Sequence, residues 1–435
     1  MKKITSIVLL IALLFSMAAC GGNAPAGEEP AGAEGQMPEE QAQVEEPQHG
    51  QPEEIRVVAV AAGNSHTMAL DNRGQLWAWG DNYYGQVGDG NISTYRDPLY
   101  EDISEYEEYA ELIDGRVRNV DNDVYRPKRI MDDVKAIYAC GDSSFAITNG
   151  GRLYAWGRNE NGQLCDGTTW NKPRPEYIMD GVLGVDSTQA RTIVLKADYS
   201  LWAYGAKFGT FGMGARPEIY EISIRLYENV KKAVLYSMSG SEAVLILTND
   251  GRLISYEEPE RYSGAYAYNE RYNLSNAADI SAASIARQLV YVLDADGNVY
   301  GWGANGFDGS LGANSNEFMV DNPTFIASDV REIYNGRTFV RNDGVMSVWG
   351  TVLEIMDYRD QYGNDVGGQL LGDLMVYGGT PVGILSNVRM AAEGGSHYIA
   401  VDNDGDVYTW GQNFNGQLGN GNSANQTSPM QIRFE

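Results

Sequence analysis

The sequence predicts an all-β fold, a seven-bladed propeller of four-stranded antiparallel blades. Three observations carry this reading. A ten-residue phrase, most often ending in an aromatic residue and glycine, recurs seven times along the 435 residues. A second apolar phrase precedes these copies by a nearly fixed interval. The recurring strand is apolar on both faces, so something must cover it from both sides.

The recurring phrase reads "DNRGQLWAWG" (71–80), "TNGGRLYAWG" (148–157), "KADYSLWAYG" (196–205), "DADGNVYGWG" (294–303), "RNDGVMSVWG" (341–350) and "DNDGDVYTWG" (402–411), with a weaker copy, "TNDGRLISYE" (248–257). The markers of the repeat are Trp77, Trp79, Trp156, Trp202, Trp302, Trp349 and Trp410. The second phrase is "VVAVAAGNSHTMAL" (57–70), matched by "VRMAAEGGSHYIAV" (388–401), with His66 and His397 in equivalent places and Ser143 where the second copy departs. A third phrase, P-x-x-I, starts seven residues before the valine at Pro127, Pro175, Pro323 and Pro381. One unit therefore reads P-x-x-I, V-x-x-V-A-A-G, H-T-x-A-L, D-G-x-L-W-x-W-G. These are four short apolar runs separated by Gly, Asp and Asn turns, the pattern of an antiparallel meander. Asp-Gly and Asn-Gly suit the positive φ of a hairpin tip. The 51 glycines and 28 tyrosines fit strands and tight turns better than helices.

In "LWAWG", Leu76 and Ala78 point one way and Trp77 and Trp79 the other. Radial stacking of sheets buries both sides, and seven units of about 54 residues imply seven blades. The last residues, "SPMQIRFE" (428–435), supply a P-x-x-I strand with no valine strand after it. Val57 begins a valine strand with no such strand before it. The expectation is that Pro429 to Phe434 is the fourth strand of the first blade and splices the two chain ends into one sheet.

The N-terminal residues stand apart. Met1-Lys2-Lys3 is followed by an apolar run from Ile4 to Phe15, then Met17-Ala18-Ala19-Cys20. This is the pattern of a secretory signal. It resembles the bacterial lipoprotein lipobox, which implies lipidation of Cys20 (diacylglyceryl, with palmitate) and anchoring to the extracytoplasmic side of the cell membrane. A plain secretory signal cut nearby is the alternative. Residues 21–54 hold nine Glu, five Pro and no Lys or Arg, so they read as a disordered acidic tether. Its root-mean-square reach would be roughly 30 Å. The propeller is assigned to 55–435, where the formal charge is about −20. That sign disfavours nucleic acid and anionic lipid as partners.

With these residues in place, G-x-L-W-x-W-G, followed by G-Q-L-G (Gly416 to Gly419) and preceded by G-x-S-H, resembles the regulator of chromosome condensation repeat family. The resemblance covers 57–434. It is close in the first, second and seventh units and worn in the third, fourth and sixth. It implies the same seven-bladed ring. The family's founding member is a nucleotide-exchange factor for a small nuclear GTPase and docks on chromatin. An export signal and an acidic body separate this chain from both. Secreted relatives such as the beta-lactamase inhibitory proteins use one propeller face to block an enzyme, so function must be sought in the loops.

His66 and His397 read as structural hydrogen-bonding residues, since no carboxylate stands at a fixed offset to orient either. "DNDGD" (402–406) and "DADGN" (294–298) resemble the start of a calcium loop but lack its closing glutamate and read as strand-connecting turns. Cys140 and Cys165 leave a disulfide and two thiols both open. No G-x-S-x-G, phosphate-cradling Gly loop or C-x-x-C appears, so no enzyme, metal or cofactor is assigned.

The informative departures are two insertions, 91–126 and 351–367. Both lengthen the connection leaving the W-x-W-G strand. They should rise from one side of the ring, from the first and sixth blades, and flank the seventh. "SEYEEYAELIDG" (104–115) has a capping box at Ser104 and Glu107 and predicts a short helix. The candidate contact residues are Tyr95, Tyr100, Glu105, Tyr106, Glu108, Tyr109, Glu111, Tyr358 and Tyr362, since aromatic residues anchor interfaces and carboxylates select charge. The leading reading is a monomeric, membrane-anchored scaffold that binds a protein. A glycan-binding module using the same tyrosines, and an envelope hydrolase or lyase, are the alternatives.

Overall fold

The strand read from "LWAWG" is Leu76–Gly80, and all five residues are buried. Its two sides serve two neighbours. Leu76 and Ala78 pack with Val134, Ile137 and Trp156 of the next blade. Trp77 and Trp79 pack with Ile399, Val401 and Ile432 of the last blade. The same division recurs, with an apolar cluster between each pair of neighbouring blades. The core is therefore a ring of interfaces rather than one central mass.

A computed structural model describes residues 54–93, 112–113, 116–117, 121–208, 223–238, 241–257, 267–270, 274, 276–282, 289–305, 311–313, 315, 317–334, 337–349 and 380–434. These form seven four-stranded antiparallel sheets, each a meander. The blades span 57–131, 134–179, 182–227, 230–269, 277–327, 330–385 and 388–432. The valine strand is innermost, the histidine strand second, the tryptophan strand third and the proline strand outermost. No described residue is helical, and no helix among the described residues is long and apolar enough to cross a membrane.

The unit read from the sequence has the wrong phase. The P-x-x-I strand does not begin a blade; it closes the blade whose tryptophan strand precedes it. Lys172–Met179 pairs with Leu153–Gly157, and Val124–Met131 pairs with Leu76–Gly80. The short step from proline strand to valine strand is a crossing from one blade's rim to the next blade's inner edge. The residue just before the valine takes a left-handed conformation: Asp133, Gly181, Asn229, Asp329 and Asn387 have φ between 58° and 71°. Asp, Asn and Gly tolerate that region best. The crossing is then held by a backbone bond from the new strand to the preceding blade's turn: Val134 N to Gly74 O (2.9 Å), Val182 N to Gly151 O (3.0 Å) and Val388 N to Gly344 O (2.8 Å). The Asp-rich turns serve this docking. Asp402 Oδ1 accepts the N–H groups of Asp404 and Asp406, and Asp294 Oδ1 accepts those of Asp296 and Asn298. No described group of His, Cys, Asp and Glu could hold a metal ion.

The expected splice of the chain ends is corrected for the same reason. Gln426–Ile432, which contains Pro429, pairs with Val407–Gly411 and is the outer strand of the seventh blade. The first blade's fourth strand is Val124–Met131. The ring closes by side-on packing of blade seven against blade one. Phe434 lies edge-on to Trp77 and Trp79, with centroids at 5.6 and 5.8 Å. Arg389 Nη2 donates to Val57 O at 2.5 Å, and Gly395 N to Gly63 O at 2.9 Å.

Two smaller expectations are also corrected, and the state of Cys140 and Cys165, left open by the sequence, is that of two free thiols. Leu112–Ile113, at the end of the expected helix, is a strand paired with Arg116–Val117; residues 104–111 lie outside the described residues. Val124–Arg126 belong to the outer strand of blade one, so the first insertion ends before them. No disulfide joins Cys140 and Cys165: Cys140 is buried, and Cys165 is half-buried with its Sγ 3.5 Å from Gln163 O.

Candidate partner-binding face

Every third-to-outer connection leaves its blade on the same edge as the inner-to-second turns, so these segments share one face of the ring. Their bases are rigid. Asn82 is buried; its Oδ1 accepts Val87 N–H at 3.1 Å and its Nδ2 donates to Asp89 Oδ1 and Asn91 O. Asn159 and Asn413 repeat the arrangement in blades two and seven.

The G-Q-x-G loop also locks neighbouring blades. The Gln417 carbonyl accepts Trp79 Nε1–H at 2.9 Å and the Thr67 hydroxyl at 2.8 Å. The Gln86 carbonyl accepts Trp156 Nε1–H at 2.9 Å and the Ser144 hydroxyl at 2.7 Å. Gly419 is required there: a Cβ on it would stand 2.8 Å from Trp79 Nε1, and its φ is +69°. His397 Nε2 lies 2.8 Å from Thr67 Oγ1, and His66 Nε2 lies 2.9 Å from Ser144 Oγ. Each hydroxyl already donates to a carbonyl, so each histidine is the Nε2–H tautomer and is the donor. Burial, with His397 as a second cause, lowers the pKa of His66 to about 3; burial alone lowers that of His397 to about 3. The two histidines are blade latches, each bonded to the next blade rather than to each other. Trp302, Trp349 and Trp410 are fully buried at other junctions. Trp202 takes the register of Trp77 instead; its Nε1 donates to Ser200 Oγ at 2.7 Å and Lys196 Nζ sits 4.3 Å from its ring centroid.

The first insertion stands on two clamped feet. Ser93 Oγ donates to Asp123 Oδ1 at 2.6 Å, Asn122 N donates to Ser93 Oγ at 3.0 Å, and Asn122 Nδ2 donates to Ile92 O at 2.7 Å. The returning foot leans on blade seven: Asn415 Nδ2 donates to Asp123 Oδ2 at 2.9 Å, and Gly421 N to Tyr125 O at 2.8 Å. The second insertion leaves after buried Trp349 and rejoins the sheet at Val382, which pairs with Val348. The roots of both insertions therefore lie on the same edge of the two blades that flank blade seven. Tyr95, Tyr100, Glu105, Tyr106, Glu108, Tyr109, Glu111, Tyr358, Tyr362 and Cys20 lie outside the described residues.

Other residues on this face escaped the sequence reading. Phe414 of blade seven is 54% exposed and Trp170 of blade two 65%. Between them, Tyr83 meets Tyr84 edge-on at 4.8 Å, and the Arg158 guanidinium lies 4.8 Å from the Tyr84 centroid. Arg158 is held by Glu160 at 2.6 Å and Asp142 at 3.4 Å. Asp81 sits below, accepting Tyr83 N–H and Gln86 Nε2–H. Burial, then the charges of Asp123 and Asp142, raise its pKa to about 7. Phe414 and Trp170 occupy positions that hold Tyr83 and Ser93 in blade one, so the repeat pattern alone does not mark them.

Comparison with known proteins agrees with this geometry. Models of the regulator of chromosome condensation (RCC1) repeat match residues 57–86, 134–163 and 388–417 in one form and 150–190 and 404–435 in a second. The ultraviolet-B receptor UVR8 of Arabidopsis thaliana is 25% identical over 279 residues, covering 60% of this chain and 56% of UVR8. The E3 ubiquitin-protein ligase HERC2 of Homo sapiens is 23% identical over 63% of this chain, which spans 5% of HERC2. Among solved structures, human WBSCR16 aligns with a TM-score of 0.61 at 19% identity, covering 83% of this chain and 94% of that one. Prp20p of Saccharomyces cerevisiae, described with its binding to Gsp1p and histones, aligns at 0.60 and 14% identity, covering 87% and 88%. With repeat matches on blades one, two and seven and a seven-bladed ring around them, the chain carries RCC1 repeats on a seven-bladed propeller.

Proposed function

We propose that this chain is a membrane-anchored, extracytoplasmic scaffold that engages a protein partner through the loop face above blade seven, with no catalysis of its own. One observation carries the reading: the two long insertions root on the same edge of the blades that flank blade seven, and blade seven presents Phe414 between them. Long segments on a rigid ring are where binding usually lies. The protein binding described for Prp20p supports this use of the fold. Its particular partners, Gsp1p and histones, are not carried over; the body here carries about −20 formal charges, which favours a partner with a basic surface. Anchoring rests on the lipobox-like Met17–Cys20.

Photo-crosslinking tests the face. A benzophenone side chain at position 414 of the full chain should capture one dominant protein, and deletion of 95–119 should abolish that capture. The same probe at Tyr177, exposed on the rim, should not capture it. Equal capture from both positions, or capture unaffected by the deletion, defeats the assignment. Cys20→Ser should move the chain from the membrane to the soluble fraction. A second reading, glycan binding, is favoured by the open indole of Trp170. A glycan array compared with the Trp170→Ala variant separates it.

A further inference from the structure

The inner strands enclose a cavity of about 380 Å³ on the axis of the ring. It is lopsided. It reaches sideways between blades three and four, where Leu195 and Leu201 pack with Ala233. A glycine makes the room. Gly184 stands in the inner-strand register where the other blades carry Ala59, Ala136, Lys232, Asp279, Glu332 and Met390. A Cβ built on Gly184 would meet only the Tyr138 hydroxyl within 4 Å, at 3.6 Å.

The end of this cavity at Leu183, 44% exposed, lies on the edge opposite the loop face. Two cations, Lys231 and Lys232, line it; Lys135, Arg331 and Arg389 stand at the second inner-strand position of other blades, with the carboxylates Asp279 and Glu332 at the third. The balance is positive in a chain whose formal charge is −27. Lys231 Nζ donates to Ala278 O at 2.8 Å and Lys232 Nζ to Asp279 Oδ1 at 2.7 Å. An ammonium has three N–H groups, so those bonds leave further donors on each. Asp186, the carboxylate in the lining, lies two strand positions beyond Gly184, and its Oδ2 accepts Leu235 N–H at 2.7 Å.

An apolar crevice with a few convergent polar groups at one end is the usual form of a small-ligand site. We propose that this cavity binds an aliphatic carboxylate. The hydrocarbon chain lies in the crevice that Gly184 opens between blades three and four, and the carboxylate meets Lys231 and Lys232. The apolar wall supplies burial, and the cationic end selects the sign of the head group.

Calorimetric titration of the full chain with octanoate and with octylammonium tests this. Octanoate should bind saturably at one site per chain and raise the melting temperature; octylammonium should do neither. Gly184→Leu fills the crevice without touching either lysine and should abolish octanoate binding while the unliganded melting temperature stays unchanged. Lys231→Met keeps the Lys232–Asp279 pair and should weaken octanoate by about tenfold or more. That variant decides the matter if Gly184→Leu lowers the melt. Absence of octanoate binding to the unmodified chain, equal binding of the two amphiphiles, or octanoate affinity unchanged in both variants overturns the proposal.

Discussion

At the scale of the residue, the buried histidines and Asp81 give the ring opposing pH responses. His66 and His397 have an ordinary pKa of 6.5 and a folded value of about 3. The unfolded chain therefore takes up their protons first. Their contribution to stability is complete above pH 6.5 and drains away as the pH falls toward 3, by up to about 1.4 kcal/mol per pH unit for each histidine. Asp81 works in the other direction. Its ordinary value is 3.8 and its folded value about 7, so its contribution is complete below pH 3.8 and is lost as the pH rises through 7. Between pH 4 and 6.5 two histidines outweigh one carboxyl, so stability should climb with pH, more gently than the histidines alone would give. Urea midpoints measured across this range should show a shallower climb for His397→Gln and a steeper one for Asp81→Asn. Unchanged slopes would mean that these groups are hydrated in the folded chain. The sequence made the histidines legible as structural, because they recur at one repeat position with no carboxylate beside them. It could not show what they bond, because Ser144 and Thr67 are reached across a blade boundary.

At the scale of the element, the four-strand meander was legible from the spacing of apolar runs, but its phase was not. A seven-residue step from proline strand to valine strand fits a hairpin or a blade crossing equally well. The left-handed Asp133, Asn229, Asp329 and Asn387 decide it, and they read in the sequence as ordinary turn residues. The worn blades were opaque for a different reason. At two of the junctions that lack the histidine–hydroxyl–carbonyl latch, ion pairs stand among the described residues. Arg191 Nε lies 2.8 Å from Glu242 Oε2 between blades three and four. Arg337 Nη2 lies 3.2 Å from Glu393 Oε1 between blades six and seven, and Arg337 N donates to the same carboxylate at 2.5 Å. Neither pair has a repeat signature. Glu393→Ala leaves Arg337, whose side chain is 9% exposed, without that carboxylate and should cost about 3–5 kcal/mol. The double variant Arg337→Met/Glu393→Leu should recover most of that loss in a denaturant melt. Equal melts for the single and double variants would show that the charges are not paired across the junction.

At the scale of the whole molecule, the ring, the blade count and the common edge of the two insertions followed from seven spaced copies of one phrase. The way the ring closes did not. An unmatched strand at each end of the chain invites a shared sheet, yet blade one finds its outer strand after the first insertion, in Val124–Met131. The ends meet through Phe434 on Trp77 and Trp79, through Gln417 on Trp79 and Thr67, and through Arg389 on Val57. This closure brings blade one beside blade seven and so places the feet of the first insertion against Asn415. Phe414 and Trp170 were not legible because blade one carries Tyr83 and Ser93 at the equivalent loop positions, so no repeat signature marks an exposed aromatic there. The most direct measurement is hydrogen exchange on the intact chain and on one ending at Asn425. Side-on closure requires faster exchange at Val407–Gly411, which loses its outer partner, while Val124–Met131 stays protected against Leu76–Gly80. Loosening of Leu76–Gly80 from its outer partner, with Val407–Gly411 unmoved, would mean that the C-terminal strand completes the first blade and that the ring is closed by a sheet common to both ends.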